Sequence, residues 1–445
     1  MDYKNYFKNK KITVMGLGLL GRGVGDAIFL AGCGAKLTVT DFKTKEQLAT
    51  SIKKLSKCKN IKFSLGGHKL RDFNGKDFVL KAAGVPIDSP YIKEARKNKI
   101  PVEMSSSLFV KLAGIPIIGV TGTRGKSTVA YLIHHILKSA GKKVFLGGNV
   151  LGVSTLSFLP KAKQYDYAVL ELDSWQLQGF GESKLSPDIS VFTTFLDDHL
   201  NYYASTSLST SRKKYFTDKA GIFKYQKGDD LLIAGKQAYP FIKKWGSKVR
   251  GELVVPEESL PRGWKISLPG KHNEYNARLA VEVARSLWIP DAVIKKSLAT
   301  FSSVPGRLEL IRMVKGVRIY NDTNSTTPDA TIVALRALGG STAKLKKIVL
   351  IAGGADKGLE MSALVKEIPK YCKEVVLLKG SGTEKIKNKI KGKEFDNFKK
   401  AVQYAFGKAK RGDVLLLSPA FASFGMFKNE YDRGEQFVRL VKKLK

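Results

Sequence analysis

Cysteine is scarce: Cys33, Cys58 and Cys372 are the three in 445 residues, widely separated and odd in number. That argues against a disulfide-stapled scaffold and against the paired spacings of a structural zinc site, and it suits a reducing compartment. Long apolar runs are missing as well. No stretch reaches the roughly 20 residues needed to cross a bilayer, so a cytoplasmic protein without membrane insertion is expected. The opening MDYKNYFKNKK followed by ITVMGLGLLG imitates a secretory leader, but Arg22 and Asp26 interrupt the apolar stretch and no convincing cleavage site follows. It reads as a strand feeding a helix. Acidic residues are outnumbered, 39 against 77 basic ones, giving a net charge of +38. Such a charge attracts polyanions. The lysines are nevertheless spread along the whole chain, with no basic tail and no basic segment interleaved with aromatics, so a solvated lysine-rich surface is expected and nucleic-acid binding is not. Fixed-period repeats and low-complexity tracts are absent too.

What is present is a hydrophobic fraction of 43%, enough for two or three packed domains at this length. The most informative stretch is IPIIGVTGTRGKSTVAYLIHHIL, Ile115 to Leu137, in which an apolar run breaks into a glycine-flanked polar turn and resumes at helical spacing. This is the pattern of a strand, a phosphate loop and a helix. Gly122 and Gly125 let backbone N–H groups converge on an anion, and a helix starting near Lys126 adds its positive end. Lys126 can reach the outer phosphates of a nucleotide, Ser127 offers a hydroxyl to the magnesium ion that accompanies them, and Thr128 adds a phosphate contact. The strict P-loop pattern wants glycine at Val120, so T-G-T-x-G-K-S is a variant of it.

Other strand ends also carry polar chemistry. Gly16, Gly18 and Gly21 form a G-x-G-x-x-G turn after a strand at Lys11 to Val14. Asp41 closes the next strand twenty positions after Gly21, where a carboxylate can accept from a ribose. That fingerprint alone permits a nicotinamide cofactor, a flavin or a nucleotide-sugar diphosphate. Asp77 to Lys81 leads into AAGVP, with Gly84. Tyr167 to Leu172 ends in LELDSWQL and carries Glu171, a carboxylate in apolar company that can pair with Ser127 around magnesium. Ile189 to Phe195 ends in Asp197, Asp198 and His199. Tyr215 to Phe223 reads as a helix carrying Lys219, and Asn273 and Asn276 share a helix face on which amides can hold an adenine base. His134 and His135 read as helix residues without chemistry. The pattern restarts near Ser302 to Pro305 as further alternating strands and helices, so the fold class is α/β in three domains, 1–108, 109–303 and 304–445, with parallel sheets throughout.

Taken in order, GLGLLG with Asp41, TGTRGKST, GGN at Gly147 to Asn149, LELDSWQL, DDH, YFTDKAGIF, GKHNEYN, VPGRLE, YNDTNSTTPDAT, AGGADKG and SPAFASFGMFKN resemble the Mur ligase family along essentially the full length. The resemblance implies a Rossmann-like UDP-binding domain, a central P-loop ATPase-like domain and a C-terminal Rossmann-like domain that binds an acceptor. It implies an ATP-dependent, amide-bond-forming ligase of peptidoglycan precursor synthesis, adding D-glutamate to UDP-N-acetylmuramoyl-L-alanine through an acyl phosphate, with another acceptor amino acid as the alternative. A monomer using ATP and two Mg2+ ions follows. By the same resemblance Gly18, Leu19, Leu20, Asp41, Phe42, Gly84 and Asn149 hold the UDP substrate. Gly122, Thr123, Arg124, Gly125, Lys126, Ser127, Thr128, Asn273, Arg307 and Asp322 hold ATP. Ser127, Glu171, His199 and a carbamylated Lys219 support the metals, and Lys126, Asn149, His199, Lys219 and Arg307 carry the chemistry. Thr326, Lys357, Ser423 and Phe424 receive the acceptor.

The chain departs from the family pattern at Asp173 and Gly306, which stand for Ser and His, at Asn324, which stands for Lys, and at Glu430, which stands for an aromatic residue. Losing a cation and gaining an anion make a dicarboxylic acceptor harder to hold. Tyr431 is placed to take the aromatic role after a one-residue shift. The spacing from His199 to Lys219 is long, which leaves Lys213 and Lys214 as rivals to Lys219.

Overall fold

The computed structural model describes residues 2–19, 21–150, 152–198, 202–204, 207–246, 248–340 and 346–445. Three sheets organise it. The first has the order Ile61–Leu65, Lys36–Asp41, Lys11–Met15, Phe78–Lys81, Val102–Glu103, every pair parallel. Phe78–Lys81 is buried at all four positions, as a parallel strand covered on both faces is. The strand order reverses beside Lys11–Met15, so the loops after Met15 and Lys81 diverge and leave a crevice at the carboxyl ends. A short helix, Tyr3–Phe7, precedes the first strand, capped by Asp2.

In the second sheet Ile117–Thr121 lies between Ile189–Phe192 and Tyr167–Glu171. Leu231–Ala234, Glu252–Val254 and Val144–Gly148 complete it, all parallel. The expected strand to Phe195 stops at Phe192. From Thr193 onward the backbone turns toward the glycine loop after Thr121, with Thr123 N–H donating to Thr194 O at 2.7 Å and Phe195 N–H taken by the Gln237 side chain. The expected helix Tyr215 to Phe223 is Leu208–Ala220, because Ser207 caps its start by accepting from Thr210 N–H.

The third sheet runs Glu309–Val314, Val317–Asn321, Val414–Leu417, Ile348–Gly353, Cys372–Leu378, Lys393–Phe395. Here the expectation of parallel sheets throughout fails: Glu309–Val314 pairs antiparallel with Val317–Asn321. The two are joined by Lys315 and Gly316, both at positive φ, and a two-residue turn can join only antiparallel strands. Alternate residues of Ile348–Gly353 feed opposite cores, Leu350 with Leu416 on one face and Val349 and Ile351 with Leu415 on the other.

The chain packs as two compact units, Met1–Trp264 with Tyr275–Leu298, and Lys265–Glu274 with Ala299–Lys445. Within the first unit one apolar core is continuous from Val14 and Leu80 through Leu108 and Phe109 to Phe145 and Leu170, which joins the first two sheets. The three cysteines form no disulfide. Among the described residues no helix is long and apolar enough to cross a membrane.

Candidate functional site

The phosphate-loop stretch forms the expected strand Ile117–Thr121 and helix Lys126–Ser139, with Gly125 as a left-handed N-cap at φ 87°. Glycine is demanded here by space as well as by φ. A Cβ on Gly122 would lie 2.0 Å from Thr193 Oγ1, and one on Gly125 would lie 2.4 Å from Asn276 Oδ1. The loop is tied along one side to the segment after Phe192: Arg124 N–H donates to Thr194 Oγ1, Thr193 Oγ1 donates to Arg124 O, and Leu196 N–H donates to Thr123 Oγ1. Arg124 pairs with Asp198 at 2.7 Å. Lys126 Nζ folds back onto Gly122 O and Thr123 O, each at 3.1 Å, while Ser127 and Thr128 are buried in the first helical turn.

Lys219 is 1% exposed and donates from Nζ to Gly122 O at 2.7 Å, stacked over the Tyr215 ring. Burial, with the charge of Lys126 behind it, pushes its amine well below the ordinary lysine range. Lys213 and Lys214 lie exposed on the same helix, so among the three rivals Lys219 is the one brought to the loop. Register places Glu171 opposite both Val120 and Gly148, so its strand end adjoins the phosphate loop and the GGN turn. The Glu171 carboxylate is buried and makes no hydrogen bond or ion pair among the described residues. Asn149 N–H donates to Glu171 O at 2.7 Å. His199 lies outside the described residues, as does Leu20.

The first glycine turn opens the helix Arg22–Gly32 with Gly21 at φ 87°. It borders a cavity of about 230 Å³ that also takes in the loop Ala82 to Gly84 and Ser105 and Thr155. Asp41 sits beneath this turn: Oδ2 accepts from Leu17 N–H at 2.9 Å and Gly18 N–H at 3.1 Å, and Oδ1 accepts from Lys43 N–H. The carboxylate expected to meet a ribose therefore braces the turn. Leu19 and Phe42 are largely exposed, at 62% and 66%. Asp26, on the same helix, accepts from Ser105 Oγ and Ser154 Oγ, and burial pushes its carboxyl up to about 6.

In the second unit Asn273 is buried and donates from Nδ2 to Pro269 O, which makes it a brace at the start of its helix. Asp322 is buried and accepts from Ser325 Oγ, Ser418 Oγ and Leu308 N–H; burial outweighs these bonds and raises its carboxyl to about 6. Arg307 is exposed on the adjoining turn. Lys357 Nζ donates to Thr326 Oγ1 at 2.9 Å, which brings those two candidates together. Ser423 is buried and Phe424 is 66% exposed.

Two family models match the chain: the Mur ligase middle domain over residues 120–255 and the Mur ligase glutamate ligase domain over residues 306–421. A UDP-N-acetylmuramoylalanine--D-glutamate ligase of Borreliella afzelii is 37% identical, with 98% of each chain covered. The chain belongs to the Mur ligase family. The Roseiflexus relative of the same name is 36% identical over 97% of this chain and 98% of its own. Among solved structures, UDP-N-acetylmuramate-alanine ligase of Thermotoga maritima superposes with a TM-score of 0.62 at 19% identity, covering 98% of this Mur ligase and all of that chain. A Yersinia pestis folylpolyglutamate synthase/dihydrofolate synthase, complexed with AMPPNP and a Mn ion, gives 0.55 at 16% identity over 76% of this chain and 92% of its own. Both show the three-domain α/β fold of the family or part of it.

Seen as a Mur ligase, the chain accommodates two of its departures locally. Gly306 has φ 73°, and a Cβ there would lie 2.9 Å from Thr323 Cγ2 and 3.0 Å from Asn324 Nδ2, so a histidine has no room. Asp173 caps the helix Ser174–Ser183 by accepting from Gln176 N–H at 2.7 Å. Asn324 donates to Pro305 O and leaves a buried Oδ1 without a hydrogen-bond partner among the described residues. Sequence reasoning missed Arg433, which is fully buried and holds Thr323 Oγ1, Thr323 O and Phe421 O. It ties together the loops that carry Thr326 and Ser423, and burial lowers its guanidinium to about 10. Nothing in a lone RG dipeptide announces this.

Proposed function

We propose that this Mur ligase joins D-glutamate to UDP-N-acetylmuramoyl-L-alanine with hydrolysis of ATP to ADP and phosphate, as a monomer in the bacterial cytoplasm, in peptidoglycan precursor synthesis. The similarity to D-glutamate ligases over nearly the whole chain carries the reading. It displaces the nicotinamide reading of the first glycine turn. The division into residues 1–108, 109–303 and 304–445, for UDP substrate, ATP and acceptor in turn, belongs to it.

On this reading Gly122 to Thr128 cradle the triphosphate, with backbone N–H groups and the helix N-terminus facing the anion. Lys126, now folded onto two loop carbonyls, swings to the outer phosphates, and Arg307 supplies a second cation. Both offset the charge that moves when the γ-phosphoryl passes to the donor carboxylate. Asn273 and Asp322 complete the nucleotide contacts, while Thr326, Lys357, Ser423 and Phe424 receive the acceptor. The acceptor amine then attacks the acyl phosphate, the C–N bond forms and phosphate leaves.

Glu171 and Ser127 are hard oxygen donors of the kind Mg2+ prefers, and the buried carboxylate, which has no side-chain hydrogen bond or ion pair among the described residues, suits a cation there. His199 and Lys219 are the proposed supports of a second ion. Magnesium, when bound, neutralises phosphate oxygens. The depressed amine of Lys219 fits carbamylation: a neutral Nζ attacks carbon dioxide, forms an N–C bond and loses a proton, which leaves an anion.

Purified protein given ATP, Mg2+, the UDP precursor and a panel of amino acids tests the reading by phosphate release. D-glutamate should stimulate release at least tenfold over any other member. Release with no amino acid overturns the ligase reading for these substrates; release with a different one moves the acceptor, as Asn324 and Glu430 would allow.

A further inference from the structure

We propose that Arg22 grips the diphosphate of the donor nucleotide in this chain and, with the same guanidinium, fixes Asn149. The inference rests on the donor reading above and goes beyond it, because it names a residue on which none of the motif assignments drew.

The cavity at the first glycine turn poses an electrostatic problem. Glycine turns of this type bind phosphates with free backbone N–H groups. Here Leu17 N–H and Gly18 N–H already donate to Asp41, a buried carboxylate directly beneath the turn. Asp26 adds a second carboxyl to the cavity lining. A diphosphate entering this space meets acidic groups and a depleted set of turn donors, so it requires a cation.

Among the described residues two basic side chains line the cavity, Lys81 and Arg22. Lys81 is 2% exposed and its Nζ donates to the carbonyls of Val85, Ala82 and Ala83 at 2.7, 3.3 and 3.4 Å. It shapes its own loop, and burial lowers its amine to about 8. Arg22 differs on each count. It is half-buried at the first position of the eleven-residue helix, beside the converging N–H groups of that end. Its Nη1 donates to Asn149 Oδ1 at 2.8 Å, and its other N–H groups make no hydrogen bond among the described residues. A guanidinium is a planar fork with five donors matched to phosphate oxygens. One edge can hold Asn149 while the remainder takes the diphosphate.

The consequence is a coupling along the donor. Asn149 stands on the turn after Val144–Gly148, its N–H fixed by Glu171 O at the strand end beside the phosphate loop. A diphosphate that orders Arg22 therefore orders the amide proposed to face the donor's reactive end. Arg22 acts as a binding residue at one end and a positioning residue at the other.

Calorimetric titration of the full chain with UDP and with uridine, for the unaltered protein and for R22M and R22K, tests this. R22M should weaken UDP binding 10- to 100-fold and uridine binding less than twofold, and R22K should recover part of the loss. In the ligation assay R22M should also lower kcat, and R22M in an N149A background should lower it no further. Unchanged UDP affinity in R22M overturns the inference, and so does equal weakening of UDP and uridine, which would mean that Arg22 only shapes the cavity. Failure of the unaltered protein to bind UDP overturns the donor reading itself, and the Arg22 inference with it. Thermal melting confirms that each variant is folded.

Discussion

The two glycine turns of the first unit share a backbone and differ in their walls. Gly21 and Gly125 cap their helices at the same φ of 87° with ψ of −17° and −16°. Around Gly125 and Gly122, Asn276, Thr193 and Thr194 stand closer than any Cβ tolerates, whereas among the described residues nothing lies within 4 Å of a Cβ on Gly18 or Gly21, and Gly16, at the strand end, meets Ala82 Cβ at 2.9 Å. One turn is a rigid mould closed by the protein. The other is open on the side where a ligand must supply the packing. Dihedral angles set the local shape in both, but tertiary neighbours decide whether that shape is fixed in advance.

The largest expected effect tests the mould. Gly122→Ala forces a methyl against Thr193 Oγ1 and the Thr194 backbone, for a destabilisation on the order of 3 kcal/mol from overpacking and strain together. Phosphate release should fall at least 100-fold and the melting temperature should drop. A variant with ordinary rates and stability would break the comparison. Next is Lys219→Met, which removes the amine held on Gly122 O. Turnover should fall by roughly 10² or more, the scale of a lost electrostatic contact at a transition state, while denaturant stability holds, because methionine fills the buried space with an apolar chain of similar length. Retained turnover would leave the mould without its proposed chemistry.

The pH response sharpens the contrast. Beside the open turn Asp26 has its carboxyl raised from 3.8 to about 6, so the folded state holds that proton more tightly. The associated stability is full below pH 4 and is lost as pH rises through 6. Its size is about 3 kcal/mol at most. Asp26→Asn should flatten that part of the profile in urea titrations between pH 4 and 7. Lys219 beside the mould carries the opposite sign: its lowered amine makes stability grow toward alkaline pH. An unchanged acid-side slope in Asp26→Asn would remove Asp26 from this account. The smallest effect belongs to Gly21→Ala, which meets only the penalty of a left-handed φ, about 1–2 kcal/mol. A loss as large as that of Gly122→Ala would show that the first turn is walled after all.

The strand, turn and helix around each glycine loop were legible because period and punctuation are local properties of the chain. So was Glu171, whose position at a strand end follows from the run before it. Asp41 was legible in position, twenty residues after Gly21 at a strand end, but nothing local reveals that its oxygens turn back to Leu17 and Gly18. The antiparallel strand Glu309–Val314 could have been found, since Lys315-Gly316 is a two-residue turn between alternating segments. Arg22 was noticed in the sequence only as an interruption of an apolar run, because its meaning depends on Asn149, 127 positions away. Buried braces such as Arg433 are tertiary facts of the same kind.

The exposed side chain of Leu19 gives the first cavity an oily lip in contact with water. A nucleoside that settles there strips water from it, and the heat released on binding should grow as temperature rises. A negative heat-capacity change, carried by the base and ribose and unaltered by the phosphates, is the calorimetric imprint that this lip leaves.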